Sequence, residues 1–425
     1  KVISAKKKDD LININNDQNS FYFIHSFFSK PHFEHEISYY TQYKNFKFCS
    51  GVIKDNLYGI QFHPEKSGNN GINFLKNLVQ KKLEKQIDLI PKNVLWCKKC
   101  VMSNQRPRII FDKEGVCSGC RNNELKSKIN WKDRENELKD LLDQYRSKDG
   151  SYDVIVPSSG GKDSGYVAHQ LKYKYNMNPL TVTWSPLEYT DIGLQNLQSK
   201  IDSGFSNILF RPNNLFQRKL ARLCLEELGD AFHVFVLGQI SYPFHIALKM
   251  NIKLVFYGEN GELEYAGDPK YVDKPYKSTN DWLEHYFKGN KLQDLIQFGL
   301  ENKDYFSNKD FSKADLTFYT PPDSELLMNS GIKGKFFYGY FKKWIPQENY
   351  YYVSKNLNFK PNPERSEGTY SKYASLDDKF DGMHFFMRYI KFGIGRCVED
   401  ASHEIRDGHL TRKEAVALAQ KYEGE

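Results

Sequence analysis

VIVPSSGGKDSGY, residues 154–166, decides the fold. An apolar run stops at serines and glycines, and the stretch that follows, SGYVAHQLKYKY, is of helical length and amphipathic. Gly160-Gly161 beside Lys and Asp would serve as a plain exposed turn. Where a strand feeds a helix, the same residues make a phosphate cradle, in which glycines let backbone N–H groups close on an anion at the helix N-terminus. Ser159 and Ser164 add hydroxyl donors, Lys162 adds positive charge, and Asp163 suits a Mg²⁺ that accompanies a phosphate. A Walker A loop is excluded, because Asp163 follows Lys162 where that loop needs Ser or Thr.

The pattern around this stretch alternates strand and helix. YDVIVP, LTVTW, NILFRP and KLVFYGE read as strands, and NLFQRKLARLCLEEL as an amphipathic helix between two of them. Such alternation predicts an α/β domain with a doubly wound parallel sheet, whose ligands bind at the carboxyl ends of the strands. Gly258, Glu259 and Asn260 follow a later strand, so Glu259 and Asn260 are expected to face a nucleotide and its metal; a Gly-Asn turn with solvated acids is the alternative. The division expected is a first domain over 1–82, a linker over 83–94, a cysteine segment over 95–125, the α/β domain over 126–265, and a mostly helical region over 266–425. The last helix is marked by a capping box, Thr411 with Glu414.

Composition narrows the class. The 425 residues are 40% hydrophobic and 27% charged, with a net charge of +8. That balance suits a globular protein with anionic small-molecule partners and lacks the basic stripe of a nucleic-acid binder. No apolar run reaches the ~18 residues of a membrane span. Seven cysteines, an odd number, speak against a disulfide framework. Cys97-x-x-Cys100 and Cys117-x-x-Cys120, separated by sixteen residues, have the spacing of a closed tetrathiolate zinc site, expected in a reducing cytoplasm. Cys49, Cys224 and Cys397 stand alone, and Cys224 lies on an apolar helix face.

Three resemblances attach to these motifs. SSGGKDS resembles the SGG-x-DS signature of the PP-loop ATP pyrophosphatases, which split ATP between the α- and β-phosphates and adenylate a substrate oxygen. GIQFHPEKS, residues 59–67, resembles the end of class I glutamine amidotransferase domains, above all the glutaminase subunit of imidazole glycerol phosphate synthase. That resemblance implies His63 as general base and Glu65 as its orienting carboxylate in a Cys-His-Glu triad. The G-x-C-x-G elbow of the nucleophile is missing and the chain opens on Lys1. The expectation is therefore the closing part of such a domain, about 80 residues, with the rest truncated or on a separate polypeptide. CKKCVMSNQRPRIIFDKEGVCSGCRNNE before SSGGKDS, and FGIGRCVEDASHEIRDGHLTRKEAV at 392–416, resemble the N-acetyl sugar amidotransferase family of bacterial surface-polysaccharide synthesis.

Together the resemblances imply an enzyme that uses ATP, Mg²⁺ and a structural Zn²⁺ to turn an acetamido group of a nucleotide-linked sugar into an acetamidino group. Glutamine would supply the ammonia. A cyclase-like barrel related to the other subunit of imidazole glycerol phosphate synthase is the implied partner, with the missing glutaminase half. Arg396, Asp400, His403, Glu404 and Arg406 carry over as substrate candidates. Both arginines suit phosphate or carboxylate, although these residues do not all share one helix face, so domain packing is an equal reading. Two alternatives remain open: a PP-loop tRNA sulfurtransferase, and a docking subunit with a non-catalytic glutaminase remnant. The sequence names neither the sugar nor its nucleotide carrier.

Overall fold

The computed structural model describes residues 3–5, 20–31, 34–54, 57–87, 93–267, 269–278, 292–302 and 304–425. The chain divides into two compact units, Lys1–Asn93 and Val94–Glu425. Of the expected linker at 83–94, residues 83–87 continue a helix and 88–92 lie outside the described residues.

The first unit holds an antiparallel sheet in the order β1 (Ile3–Ala5), β2 (Ile37–Tyr43), β3 (Phe46–Lys54), β4 (Leu57–Ile60). In β2 the residues alternate, burying Ile37, Tyr39 and Thr41 on one face, as a half-buried strand requires. Phe21, Tyr39, Phe62 and Phe74 form its core, with Phe74 contributed by α1 (Gly68–Ile87). Between β4 and α1 the chain makes a single 3₁₀ turn at Pro64–Lys66, and Pro64 suits its first position because no N–H is needed there.

The second unit is built on a six-stranded sheet. Its order is β7 (Asn207–Phe210), β6 (Pro179–Trp184), β5 (Val154–Pro157), β8 (Leu254–Tyr257), β10 (Gly334–Phe337), β9 (Tyr276–Ser278). All neighbours pair in parallel except β9, which runs antiparallel at the edge. The four strands expected from sequence are β5 to β8. The sheet continues beyond residue 265 into β9 and β10, inside a region expected to be mostly helical. All four residues of GKFF in β10 are buried, so the strand shows no alternation to read.

Both faces of this sheet are covered. Ile155 and Val255 point into one core with Phe216, Leu220, Leu223 and Cys224 of α6 (Asn214–Leu228) and with α7 (His233–Lys249). Val154, Val156, Leu254 and Phe256 point into the other, with Leu138 and Leu142 of α3 (Trp131–Tyr145) and Val353 of a later helix. In α6 the buried residues recur at i, i+4, i+7 and i+8, the stripe of an amphipathic helix. A third core joins the cysteine segment and α2 (Ser118–Lys126) to the closing helices through Val101, Met102, Val398, Ala401 and Ala415.

α7 packs closely on β6 at Gly238. A Cβ on Gly238 would stand 2.0 Å from Trp184 Cε2. Replacing Gly238 with Ala should therefore overpack the core and cost about 1–3 kcal/mol. The check is a lowered midpoint of urea unfolding at unchanged slope; an unmoved midpoint would mean the indole can shift aside freely.

Candidate functional site

The sheet order reverses at β5, with β6 and β7 on one side and β8 and β10 on the other, which opens a crevice at the carboxyl ends of the strands. A cavity of about 440 Å³ lies there, and Ser159, Gly160, Gly161, Lys162, Asp163 and Ser164 all line it. Gly161 caps α4 (Lys162–His169) with extended backbone, so the N–H groups of the first helical turn lack intrahelical acceptors. Gly160 has φ +103°, and a Cβ there would stand 2.7 Å from the backbone nitrogen of Leu197. Left-handed backbone and close approach thus both demand glycine.

Hydroxyls fix the loop from below. Ser158 N–H donates to Val182 O (2.9 Å), Thr183 Oγ1 donates to Ser158 O (2.5 Å), and Ser158 Oγ meets Ser164 Oγ at 2.8 Å. The Lys162 ammonium contacts the Asp163 carboxylate and lies 5.7 Å from the centre of the Tyr373 ring. Asn349, on the helix Pro346–Asn356, donates to Asp163 Oδ1 at 3.2 Å. Glu259 lines the cavity from the end of β8, and burial together with the Asp163 charge pushes its carboxyl up. An acid raised by burial beside a second carboxylate at a strand end is a place where a cation could be held.

Asn260 does something else. Its side chain accepts from Glu262 N–H (3.2 Å) and donates to Tyr271 O (2.7 Å), which caps the short helix α8 (Gly261–Glu264). It is buried and does not line the cavity.

The closing motif reaches the same cavity. The motif runs from the last residue of α11 (Asp381–Phe392) through all of α12 (Arg396–Asp407) into the final helix, Arg412–Tyr422; the helices Leu292–Glu301 and Pro346–Asn356 are α9 and α10. Arg396, Asp400, His403, Glu404 and Asp407 line the cavity, a spacing that puts them along one side of α12. Arg396 pairs with Asp400 at 3.0 Å, and its guanidinium sits 4.6 Å from the centre of the Phe385 ring. Thr369 donates to Asp400 (2.8 Å), and the Tyr373 hydroxyl donates to Glu404 (3.0 Å). Arg406 points elsewhere, donating to Glu264 O at 2.7 Å. On the far wall stand Asp377, Asp378 and Asp381; burial and the two neighbouring charges push the Asp381 carboxyl up to about 8.

Sequence reading missed Asn349, Asp381, Asp407 and the Glu264 carboxylate. Glu264 is buried and receives Lys126 Nζ on both oxygens at 2.8 Å, with His403 Nε2 at 3.0 Å. His403 Nδ1 meets Asp407 at 3.0 Å. Burial pushes the Glu264 carboxyl up, but His403 and Lys126 outweigh it and hold it below the ordinary carboxylate range. Burial likewise works against a charged His403, and Asp407 and Glu264 overcome it and raise its pKa. The signal was a run of acids, GELE, whose burial nothing in the sequence marks.

The cysteines meet as the spacing requires. Sγ atoms of Cys97, Cys100, Cys117 and Cys120 lie within 4.8 Å of one another, all buried, with Cys100–Cys117 at 3.6 Å and Cys97–Cys120 at 3.9 Å. A tetrahedron of metal–sulfur bonds of about 2.3 Å has edges of about 3.8 Å, so the four could hold one metal ion. Backbone N–H groups of Cys117 (3.3 Å) and Lys99 (3.4 Å) point at Cys97 Sγ, as thiolates favour. Arg412 donates to the carbonyls of Cys97 and Cys100, tying this segment to the last helix, Arg412–Tyr422. Cys224 is wholly buried and burial pushes its thiol up to about 12; Cys397, on α12, is buried as well.

In the first unit His63 Nδ1 meets Glu65 Oε1 at 2.8 Å, and the His25 ring stacks on the His63 ring at 5.0 Å. His63 Nε2 is enclosed and has no hydrogen-bond partner among the described residues. Cys49 lies on β3, where its Sγ donates to Gly51 O at 3.7 Å.

Comparison with known proteins places these features. The family described as LPS biosynthesis protein WbpG-like, C-terminal domain, matches residues 367–425, which include α11, α12 and the last helix. The chain is also similar to the imidazole glycerol phosphate synthase subunit HisH of Chlorobaculum tepidum, 39% identical over 64 residues, 15% of this chain and 32% of that protein. With the HisH subunit of Haemophilus influenzae the identity is 48% over 65 residues, 15% of this chain and 31% of that protein. The chain thus spans about a third of the length of these curated relatives. A solved structure, described as a predicted subunit of tRNA methyltransferase from Methanocaldococcus jannaschii, is 16% identical. It covers 35% of this chain and 74% of its own, with a TM-score of 0.20, and adds nothing to the fold described above.

The buried cluster yields two expectations. Cys117→Ser should lose the bound metal, about one ion per chain by elemental analysis of the purified protein, and wild type free of metal would refute the site. Lys126→Met, which strands the Glu264 carboxylate on one cation fewer, should cost about 3–5 kcal/mol in unfolding free energy.

Proposed function

We propose that this chain is the ATP-using part of an amidotransferase that installs nitrogen on a nucleotide-linked acetamido sugar for surface-glycan synthesis. The observation that carries the proposal is the SGGKDS loop opening on a cavity whose other wall is the WbpG-like helix α12. Similarity to HisH glutaminase subunits supports ammonia as the nitrogen source.

In this reading the N–H groups at the start of α4, with Ser159 and Lys162, hold the β- and γ-phosphates. Asp163 and Glu259 hold the Mg²⁺ that accompanies them. The acetamide oxygen attacks the α-phosphorus, and pyrophosphate leaves with the electrons of the broken P–O bond. Ammonia then adds to the imidate carbon, and the C–O bond breaks to release AMP and the protonated amidine. Arg396, poised by Asp400 and Phe385, suits an anionic group of the sugar nucleotide. The four cysteines would hold a structural Zn²⁺, closed to substrate by their burial. His63, oriented by Glu65, would serve as general base for a glutaminase thiol at its unpartnered Nε2. A barrel-shaped cyclase-like subunit remains the expected ammonia partner. Against tRNA thiolation, the cysteine of the α/β domain, Cys224, is buried in the core and held as a thiol.

The test is release of pyrophosphate from ATP with a UDP-linked diacetamido uronic acid. Ammonium chloride should support amidine formation, and glutamine should do so only when the remainder of the glutaminase domain is supplied. Asp163→Asn should slow turnover by about two orders of magnitude or more. Ammonium-independent pyrophosphate release on tRNA would overturn the reading.

A further inference from the structure

Lys200 lies on α5 (Asp191–Asp202) and is 2% exposed. Its Nζ makes a hydrogen bond to Ser158 Oγ at 2.7 Å and forms no ion pair among the described residues. Ser158 Oγ in turn meets Ser164 Oγ, and Ser164 donates to Gly161 O at 3.1 Å. With Ser164's proton committed to Gly161, Ser158 donates to Ser164 and accepts from Lys200. The lysine therefore sits directly beneath the glycine loop, one hydroxyl away from its backbone.

The charged groups on the elements around Lys200 are committed elsewhere. On α4, Lys162 and Asp163 contact each other at the cavity, and His169 bonds the Tyr352 hydroxyl at 2.8 Å. On α5 itself, Asp202 accepts from Gln198 at 2.8 Å, while Asp191 opens the helix at its far end. Lys172, after α4, donates to Gly204 O. On the sheet side, β6 presents Thr181 and Thr183, both bonded to the neutral Asn207. Asp153, just before β5, is occupied by the N–H groups of Ser147 and Asn178. Burial alone pushes Lys200 down, to about 7, with no charged neighbour opposing it.

A dry, unpaired lysine is costly unless its counter-ion arrives from outside. We propose that Lys200 is the buried counter-charge of the SGGKDS loop, taking a proton from solvent onto Nζ when a polyphosphate binds and returning it when the polyphosphate leaves. This rests on the loop being a polyphosphate site. The bound anion favours the ammonium form, so the lysine's proton affinity rises on binding. The sign follows. Below about pH 7 Lys200 already carries its proton and binding takes up little; above it, uptake approaches one proton and affinity falls as pH rises. Lys200 touches no ligand directly; it acts through Ser158 and the loop.

The test is calorimetric titration of the full chain with MgATP at about pH 8, in buffers of different ionisation enthalpy, so that the buffer dependence of the heat counts protons. Wild type should take up about one proton more than Lys200→Met, and Lys200→Met should bind about tenfold or more weakly with a flatter pH profile. Lys200→Arg, charged throughout, should recover affinity without the extra proton. Equal proton uptake by wild type and Lys200→Met would reduce Lys200 to a scaffold and overturn the inference. Folded wild type that binds no MgATP at any pH would instead bring down the polyphosphate reading of the loop, and the inference with it. If Lys200→Met does not fold, the uptake of wild type decides alone: an uptake that does not grow as pH rises through about 7 refutes the proposal.

Discussion

The Glu264 carboxylate is the contact on which the second unit depends. Lys126 reaches it from the helix that ends the cysteine segment, and His403 from the closing helix, while Glu264 itself belongs to the turn after β8. Three stretches far apart in sequence are thereby held at one buried point. Such a cluster has to be complete to be tolerable, since removal of either cation leaves a carboxylate charged in a dry place. Its position explains why the cysteine segment accompanies an α/β sheet at all. The knuckles order α2, α2 delivers Lys126, and Lys126 fixes the turn from which Glu259 reaches the cavity.

The same fixing acts on α12. Asp407 and Glu264 grip His403 from its two ring nitrogens, so the helix cannot rotate without breaking one of them. Arg396, two turns earlier, is thereby aimed into the cavity, and Arg388 and Arg106 hold Glu399 on the opposite side. Burial pushes Glu399 up, yet the two arginines bring it down to about 2, so that side of the helix stays charged and locked. Arg396, Asp400 and Glu404 of α12 line the cavity, Glu399 and Arg406 pack against neighbouring elements, and His403 and Asp407 do both.

What the sequence displayed well was whatever follows a local period. The strands β5 to β8, α6 with its stripe of Phe216, Leu220, Leu223 and Cys224, and the capping box of Thr411 and Glu414 are all written in spacing. So was the meeting of four cysteines, because a C-x-x-C turn constrains its own sulfurs. Long-range pairing was not displayed: β10 pairs with β8 across some eighty residues, and its GKFF buries both faces. Asn260 looked like a ligand by its place after β8, but the residue that must start α8 has its side chain spent on the cap. Lys200 was legible in principle. It falls on the buried stripe of α5 with Gly193, Asn196 and Leu197, where a lysine needs a reason.

The charge of the cavity adds a constraint on its ligand. Lys162 and Arg396 are the lysine and arginine that line it, and each already touches a carboxylate, Asp163 and Asp400. Glu259, Asp377, Asp378, Asp381, Glu404 and Asp407 add further acid, and burial together with neighbouring carboxylates pushes Asp381 and Glu259 toward the neutral form, against the pull of Arg396 and Lys162. A bare polyphosphate would meet helix N–H groups at one end and repulsion from these acids elsewhere. The balance changes if the anion brings a divalent cation for Asp163 and Glu259, which frees Lys162 to turn from Asp163 toward phosphate. It changes again if a proton moves onto Lys200 beneath the loop. A metal-complexed polyphosphate, accompanied by a proton from solvent, is the form of ligand for which this arrangement of charges is consistent.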